Sequence, residues 1–330
     1  MSDFAATLPS HFGLTGIRAI KERGYYLCKT ESGFYKIHKT HENHQQIRLR
    51  HALLNQLEML GFPWIDKIML STQGVPFVQL GRETYVMSRH IKGYDVNLDC
   101  LQDMTLAIES LARFHMAARE IELTNGLALD TSASLSEIFA KNSAFLTKTT
   151  KQTSKNSRLS DFDVMFIKSS DRYINQAAES AQLLAQTNYD ALHATALAQN
   201  HICHNVLKEE NLPILDGICH VTNFTEATVD TQITDLASLL RRYARRSQRD
   251  IPLAKMIEIY DNIAPLPHSA TAIIYAQLVH PWQFVKIARQ YYSKKRGWTP
   301  AAMMSRMTGL LDEQERYDVY VKEFSKPYLL

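Results

Sequence analysis

Apolar and polar residues alternate through residues 17–39. Tyr25-Tyr26-Leu27-Cys28-Lys29 and Phe34-Tyr35-Lys36-Ile37-His38-Lys39 keep the period of two that a half-buried strand needs, and Glu31-Ser32-Gly33 supplies turn residues between them, so a hairpin is expected. The period changes at 42–60, where Ile47, Leu53, Leu54, Leu57 and Leu60 recur at helical spacing and would form an inner face; Gly61 and then Pro63 end it. Strands are expected again at Ile65–Ser71, Val75–Leu80 and Tyr85–Ser88, so the first part of the chain reads β-β-α-β-β-β. Beyond Gly93 the spacing is mostly helical. Leu101, Met104, Ile108, Leu111 and His115 mark one amphipathic helix. Residues 141–160 are polar and basic with few apolar anchors, which predicts an exposed loop or a frayed helix. Helices are expected around 163–186, 188–199, 234–248, 251–263, 269–293 and 301–324, with short strands near Leu212–Leu215 and Ile218–Thr222.

The stretch from Cys203 to Phe224 carries the chemistry. Kinase-like phosphotransferases use a loop H-x-D-x-x-x-x-N, followed about a dozen residues later by a second Asp before a Phe or its equivalent. Here His204 and Asn211 stand at the ends of that spacing, Val206 stands where the first Asp belongs, and Asn223 precedes Phe224. Valine can neither accept the proton of an incoming hydroxyl nor orient it, and a positioned general base contributes roughly 10²–10⁴-fold. Asn223 offers a neutral oxygen where Mg²⁺ prefers charged, hard oxygen. Without a neighbouring acid, His204 reads as a residue that orients the loop by bonding its backbone, and Asn211 as one that fixes it.

Composition narrows the class without choosing a function. With 330 residues, 45% hydrophobic and 22% charged, the chain can bury a substantial core and suits a globular protein. A net charge of +3 is too small to argue for nucleic acid. The start, MSDFAATLPSHFGLTG, has no signal-peptide pattern and no run is long enough to span a membrane, so cytosolic synthesis is expected. Cys28, Cys100, Cys203 and Cys219 make no disulfide framework. Cys203-His204 and Cys219-His220 are adjacent pairs whose side chains leave a strand on opposite faces, so no metal site is expected. Arg241, Arg245 and Arg249, four apart with Arg242 and Arg246 beside them, form either a ridge for an anionic partner or a solvated face; Lys294-Lys295-Arg296 is a second basic patch. Trp282, Phe284, Tyr291 and Tyr292 read as helix core.

An ordered series of motifs resembles the CotS-type spore coat proteins of the kinase-like aminoglycoside/choline phosphotransferase superfamily. It comprises Thr222-Asn223-Phe224, then Val229 to Leu236 with Asp235, then Leu239-Leu240-Arg241-Arg242. His280-Pro281-Trp282-Gln283-Phe284-Val285-Lys286, Gln290-Tyr291-Tyr292 and Trp298-Thr299-Pro300 continue it. Upstream, Tyr85-Val86-Met87-Ser88 with Ile91-Lys92-Gly93 is similar to the family's hinge, and Leu111 to His115 to the helix after it. The resemblance implies an α+β, bilobal, protein-kinase-like fold: a small β-rich N-lobe over 1–92 and a large helical C-lobe over 93–330, with the degenerate catalytic loop at 203–224.

The same resemblance implies a nucleotide cleft of vestigial kind formed by Lys36, His38, Met87, Ser88, Asn211 and Asn223. The phosphate-anchoring lysine of the third strand falls at His38 in the best register, with Lys36 on the same strand face, and Gly24 is alone where a glycine-rich phosphate loop would lie. Asp235 would accept backbone N–H bonds in the catalytic loop. The implied role is a catalytically inactive pseudokinase, structural in the endospore coat, made in the mother cell and assembled with other coat proteins. No cofactor or metal is expected. Two other functions stay open. One is a small-molecule phosphotransferase using ATP and Mg²⁺, with Glu209, Glu210, Asp216 or Glu226 replacing the lost acids; the other is a nucleotide-binding regulator without chemistry.

Overall fold

Strand β2 (Tyr26–Thr30) and β3 (Gly33–Thr40) make the expected hairpin, pairing from Tyr26 with Ile37 to Thr30 with Gly33. Gly33 closes the turn at φ 129°, a backbone region that side chains rarely tolerate. The computed structural model describes residues 4–123, 128–247, 249, 252–293 and 299–325. Lys294-Lys295-Arg296 and Trp298 lie outside the described residues. The chain forms two compact units: one from the chain up to Thr131 with Gln199–Val229 and Ile259–Ala264, the other from Ser132–Ala198, Asp230–Glu258 and Pro265 onward.

In the first unit, α1 (Phe4–Thr7) and a 3-10 turn (Leu8–Phe12) precede β1 (Ile20–Lys21), the β2–β3 hairpin, α2 (His44–Met59), β4 (Val78–Leu80) and β5 (Glu83–Arg89). The strands form an antiparallel sheet in the order β1-β2-β3-β5-β4. One face packs Cys28, Ile37, Tyr85 and Met87 onto Leu8, Phe12 and Ala19. Helix α2 starts with a reciprocal capping box between Asn43 and Gln46. Its buried residues are Ile47, Arg50, Leu53, Leu54 and Leu57, whereas Leu60, expected on the inner face, is exposed. The expected strand Ile65–Ser71 is extended but never pairs at two consecutive positions. It divides its bonds between partners: Trp64 O accepts from Val221 N at 2.9 Å, while Lys67 O and Met69 N bond Arg89 N and Met87 O, each at 2.9 Å. The strand expected at Val75–Leu80 begins only at Val78, because Pro76 has no N–H for the ladder.

The rest of this unit holds β6 (Tyr94–Asp95), α3 (Leu101–Arg119), β7 (Ile202–Cys203), β8 (Pro213–Leu215), β9 (Ile218–Cys219) and β10 (Thr228–Val229). Strands β6-β8-β9 form one small sheet, and β10 pairs with β7. Helix α3 supplies the floor with Met104, Ile108, Leu111 and Phe114 buried, and Ser110 Oγ donates to the Cys219 carbonyl at 2.7 Å. Gly93 sits against the backbone of β8, where an added Cβ would lie 2.3 Å from the Ile214 carbonyl oxygen. Gly93→Ala is expected to cost at least about 2 kcal/mol, since backbone on both sides must move; the urea midpoint reads it, and an unchanged midpoint refutes it.

The second unit is helical: α4 (Leu135–Thr153), α5 (Asp161–Ala185), α6 (Tyr189–Ala198), α7 (Ile233–Arg246), α8 (Leu253–Asp261), α9 (Ala270–Val279), α10 (Trp282–Tyr292) and α11 (Pro300–Ser325). The last residues of α8 belong to the first unit. Three expectations are corrected. Residues 141–153 are regular helix, because Leu135, Phe139, Asn142, Leu146, Thr149 and Thr153 form a continuous buried stripe at helical spacing. The single helix expected over 269–293 is two, broken at Pro281, which cannot continue the α9 ladder. The arginine ridge does not form either. Arg241 lies 5.0 Å over the Trp282 ring and Arg245 3.8 Å over Tyr317, while Arg249 falls after the end of α7. No helix among the described residues is long and apolar enough to cross a membrane.

Candidate functional site

The residues that the 203–224 loop and the third strand contribute all lie in the first unit, and the structure joins several in one chain of hydrogen bonds. The loop is held from within. His204 is fully buried, its Nε2 2.8 Å from the Thr222 carbonyl and its ring edge-on to Phe224. Asn211, at the end of the 3-10 turn Glu209–Asn211, donates Nδ2–H to the Val206 carbonyl at 2.8 Å, and its own carbonyl accepts from Thr222 N at 2.9 Å. The loop is thus closed around Val206 and clamped to the segment ending at Thr222. Val206 presents an isopropyl group and a carbonyl already in use.

Asn223 takes a left-handed backbone, φ 67° and ψ 62°, which asparagine tolerates better than most residues. Its Nδ2 approaches Asn211 Oδ1 at 3.4 Å, and its Oδ1 accepts from Thr225 Oγ1 at 2.9 Å. Both amide oxygens that would face a metal are therefore neutral and engaged. Mg²⁺ is held by one or two carboxylates plus phosphate oxygens in near-octahedral order. The donor set here does not fit a magnesium–nucleotide pair.

The carboxylate in this network is Asp66, which sequence reasoning missed. Its Oδ1 accepts the backbone N–H of Asn223 at 3.0 Å and its Oδ2 accepts from Lys36 Nζ at 3.1 Å. The Asp66 side chain is only 5% exposed and that of Lys36 26%. A signal existed: Asp66 is an acid inside the apolar run Phe62-Pro63-Trp64-Ile65-Asp66-Lys67-Ile68, which an exposed turn would not require. None of the four acids proposed as substitutes appears in the hydrogen bonds described for Val206, Asn211 and Asn223. Glu210 pairs with Lys208 at 3.4 Å, Asp216 occupies the β8–β9 turn, Glu226 is exposed and Glu209 opens the 3-10 turn.

On the sheet, Lys36 stands opposite Ser88 and His38 opposite Val86, so Lys36, His38 and Ser88 share one face. Met87 pairs with Ile37 and packs into the opposite face, among Leu8, Phe12 and Cys28. The structure therefore separates Met87 from the other residues read as a cleft, because neighbours in a strand alternate sides. His38 Nδ1 and Ser88 Oγ are buried without a hydrogen-bond partner. Burial first, and then the Arg50 guanidinium and the Lys36 ammonium, lower His38 to about 4. Arg50, buried on the inner side of α2, holds Glu42 in a two-point pair at 2.6 and 3.1 Å. Asp235 is buried in the first turn of α7, in the second unit.

The family model described as "Spore coat putative kinase YutH" matches residues 5–324. "Spore coat protein S" of Bacillus subtilis (strain 168) is 21% identical over 170 residues, which is 51% of this chain and 48% of that protein. The chain thus spans about half the length of the curated relative it matches. Among solved structures, an aminoglycoside phosphotransferase from Alicyclobacillus acidocaldarius superposes with TM-score 0.83 at 18% identity, over 97% of this chain and 94% of that one. Spectinomycin phosphotransferase APH(9)-Ia, in its AMP-bound complex, does so with TM-score 0.70 at 13% identity and 96% coverage of both. These likenesses establish an aminoglycoside-phosphotransferase-like kinase fold.

Proposed function

The chain belongs to the kinase-like spore coat family whose model it matches over residues 5–324, and we propose that it serves the spore coat as a non-catalytic, kinase-shaped structural component. The observation that carries this reading is the closed loop. Val206 and Asn223 stand where two acids would be required, and Asn211 and Asn223 spend their side chains on Val206 O, on Thr225 and on each other. What remains is a folded surface. The spore coat family supports deposition on the developing spore among other coat proteins, and the closed loop supports a role without a small-molecule substrate.

The test is transfer of radiolabelled phosphate from Mg-ATP to amino sugars, amino alcohols and protein acceptors by the purified wild-type chain. No transfer above buffer is expected. Transfer that disappears in Asn211→Ala would overturn the reading. One observation favours a second reading, a phosphotransferase with a rebuilt site: Asp66 places a carboxylate against Asn223. Under that reading the wild-type chain turns over and Asp66→Asn abolishes the activity, so the same assay separates the two.

A further inference from the structure

We propose that Asp66 is an internal counter-anion that holds a latent oxyanion site shut: its carboxylate occupies the place between Lys36 Nζ and the Asn223 N–H where a phosphate or pyrophosphate oxygen would otherwise bind. The inference deepens the non-catalytic reading and rests on it.

Three observations carry it. A primary ammonium and a backbone N–H converge on one small acceptor, at 3.1 and 3.0 Å, from two segments far apart in sequence. A flexible cation beside a fixed amide is the donor set of an oxyanion site, because both donors supply positive potential and neither can accept. The acceptor found there comes from the chain itself. A tethered carboxylate meets those donors without diffusing in, so a free anion must displace it rather than simply fill a gap.

The surroundings point the same way. Ser88 is 1% exposed and its Oγ has no partner, and neither does the buried Nδ1 of His38 two residues along the strand from Lys36. Buried polar atoms are nearly always satisfied, so two orphans on one face call for a reason. The face carries more hydrogen-bonding capacity than one carboxylate uses. An oxyanion bound at Lys36 would bring further acceptor oxygens to this face, where Ser88 Oγ and His38 Nδ1 stand unused. Lys36 is the only residue of the three that Asp66 neutralises, and its side chain retains enough exposure to meet a ligand from solvent.

Isothermal titration with sodium pyrophosphate tests the proposal on four full-length chains: wild type, Asp66→Asn, Lys36→Met and the double variant. Asp66→Asn keeps the shape and an acceptor for the Asn223 N–H while removing the negative charge, so it is chosen to fold. Its pyrophosphate affinity is expected to exceed that of wild type at least tenfold, and the gain to vanish in the double variant. A smaller gain, or one that survives Lys36→Met, overturns the proposal. A second measurement does not depend on ligand choice. Acetylation of Lys36 by a water-soluble N-hydroxysuccinimide ester, followed by peptide mass spectrometry, should run at least tenfold slower than that of Lys29, an exposed lysine of β2, in wild type and speed up in Asp66→Asn. Equal rates at Lys36 and Lys29 in wild type also overturn it. A failed gain in Asp66→Asn leaves the non-catalytic reading standing, whereas phosphate transfer by wild type removes that reading first.

Discussion

Lowering the pH from 7 to 4 is expected to remove about 3 kcal/mol of unfolding free energy through His280 alone. The residue is 1% exposed and stacks on Phe139 with ring centroids 3.9 Å apart. Its two nitrogens are committed to one neutral tautomer. Arg289 donates to Asn142 Oδ1 at 3.1 Å, which turns the Asn142 Nδ2–H toward His280 Nε2 at 2.9 Å, so Nε2 must accept. Ser180 gives its hydroxyl proton to the Ala177 carbonyl at 2.9 Å and so accepts from His280 Nδ1–H at 2.8 Å. A proton on Nε2 would face the amide N–H of Asn142 and lose that bond. Burial first, then the Arg241 guanidinium, lower His280 to about 3 from its usual 6.5. The unfolded chain therefore binds a proton that the folded chain refuses. The stability contribution is complete above pH 6.5 and declines by about 1.4 kcal/mol per unit as pH falls toward 3. His38, lowered to about 4, adds a loss of the same sign over 6.5 to 4. Urea unfolding at pH 7 and pH 4 should show the drop shrinking by about 3 kcal/mol in His280→Gln. An equal drop in that variant would refute the assignment.

The polar skeleton of the 203–224 loop was legible because its spacing is local: His204, Val206, Asn211 and Asn223 can be aligned without knowing the fold. The hairpin, α2 and the long helices were legible for the same reason, since their periods run within one segment. What escaped depends on distant partners. Asp66 has meaning only once Lys36 and Asn223 meet it from two other segments. The α4 stripe was hidden because Asn142, Thr149 and Thr153 occupy buried positions. Asn142 is satisfied there by His280 and Arg289, far along the chain. Arg241 and Arg245 looked like a solvated or partner-facing ridge because charge is read as exposure, yet their guanidinium planes lie on Trp282 and Tyr317. Sequence patterning reports the period of apolar residues well and the burial of polar ones poorly, and in this chain His204, Asn211, Asp66 and Ser88 of the candidate site are buried polar groups.

Phe284→Ala is expected to destabilise the helical unit by about 3–5 kcal/mol, the range for truncating a fully buried aromatic. The Phe284 ring is fully buried on α10 and stacks on two rings of α5, Tyr173 at 3.9 Å and Phe166 at 5.4 Å. The same column continues through Phe162, itself 3.7 Å from Tyr291 at the end of α10. Removing Phe284 takes away the middle of this ladder. Tyr173 is itself packed in this core, and its hydroxyl reaches Gln314 Oε1 on α11 at 3.4 Å. The neighbours Val285, Ile287 and Met307 are already packed in the same core. The cavity therefore stays open, and the cost belongs at the upper part of the range. Phe284→Leu, which keeps much of the volume, should recover more than half of the loss. Urea denaturation reads both variants through the midpoint at unchanged slope. A loss below about 1.5 kcal/mol for Phe284→Ala would mean the helices collapse onto the vacancy, and the aromatic column would then be a by-product of packing rather than what fixes α10 against α5.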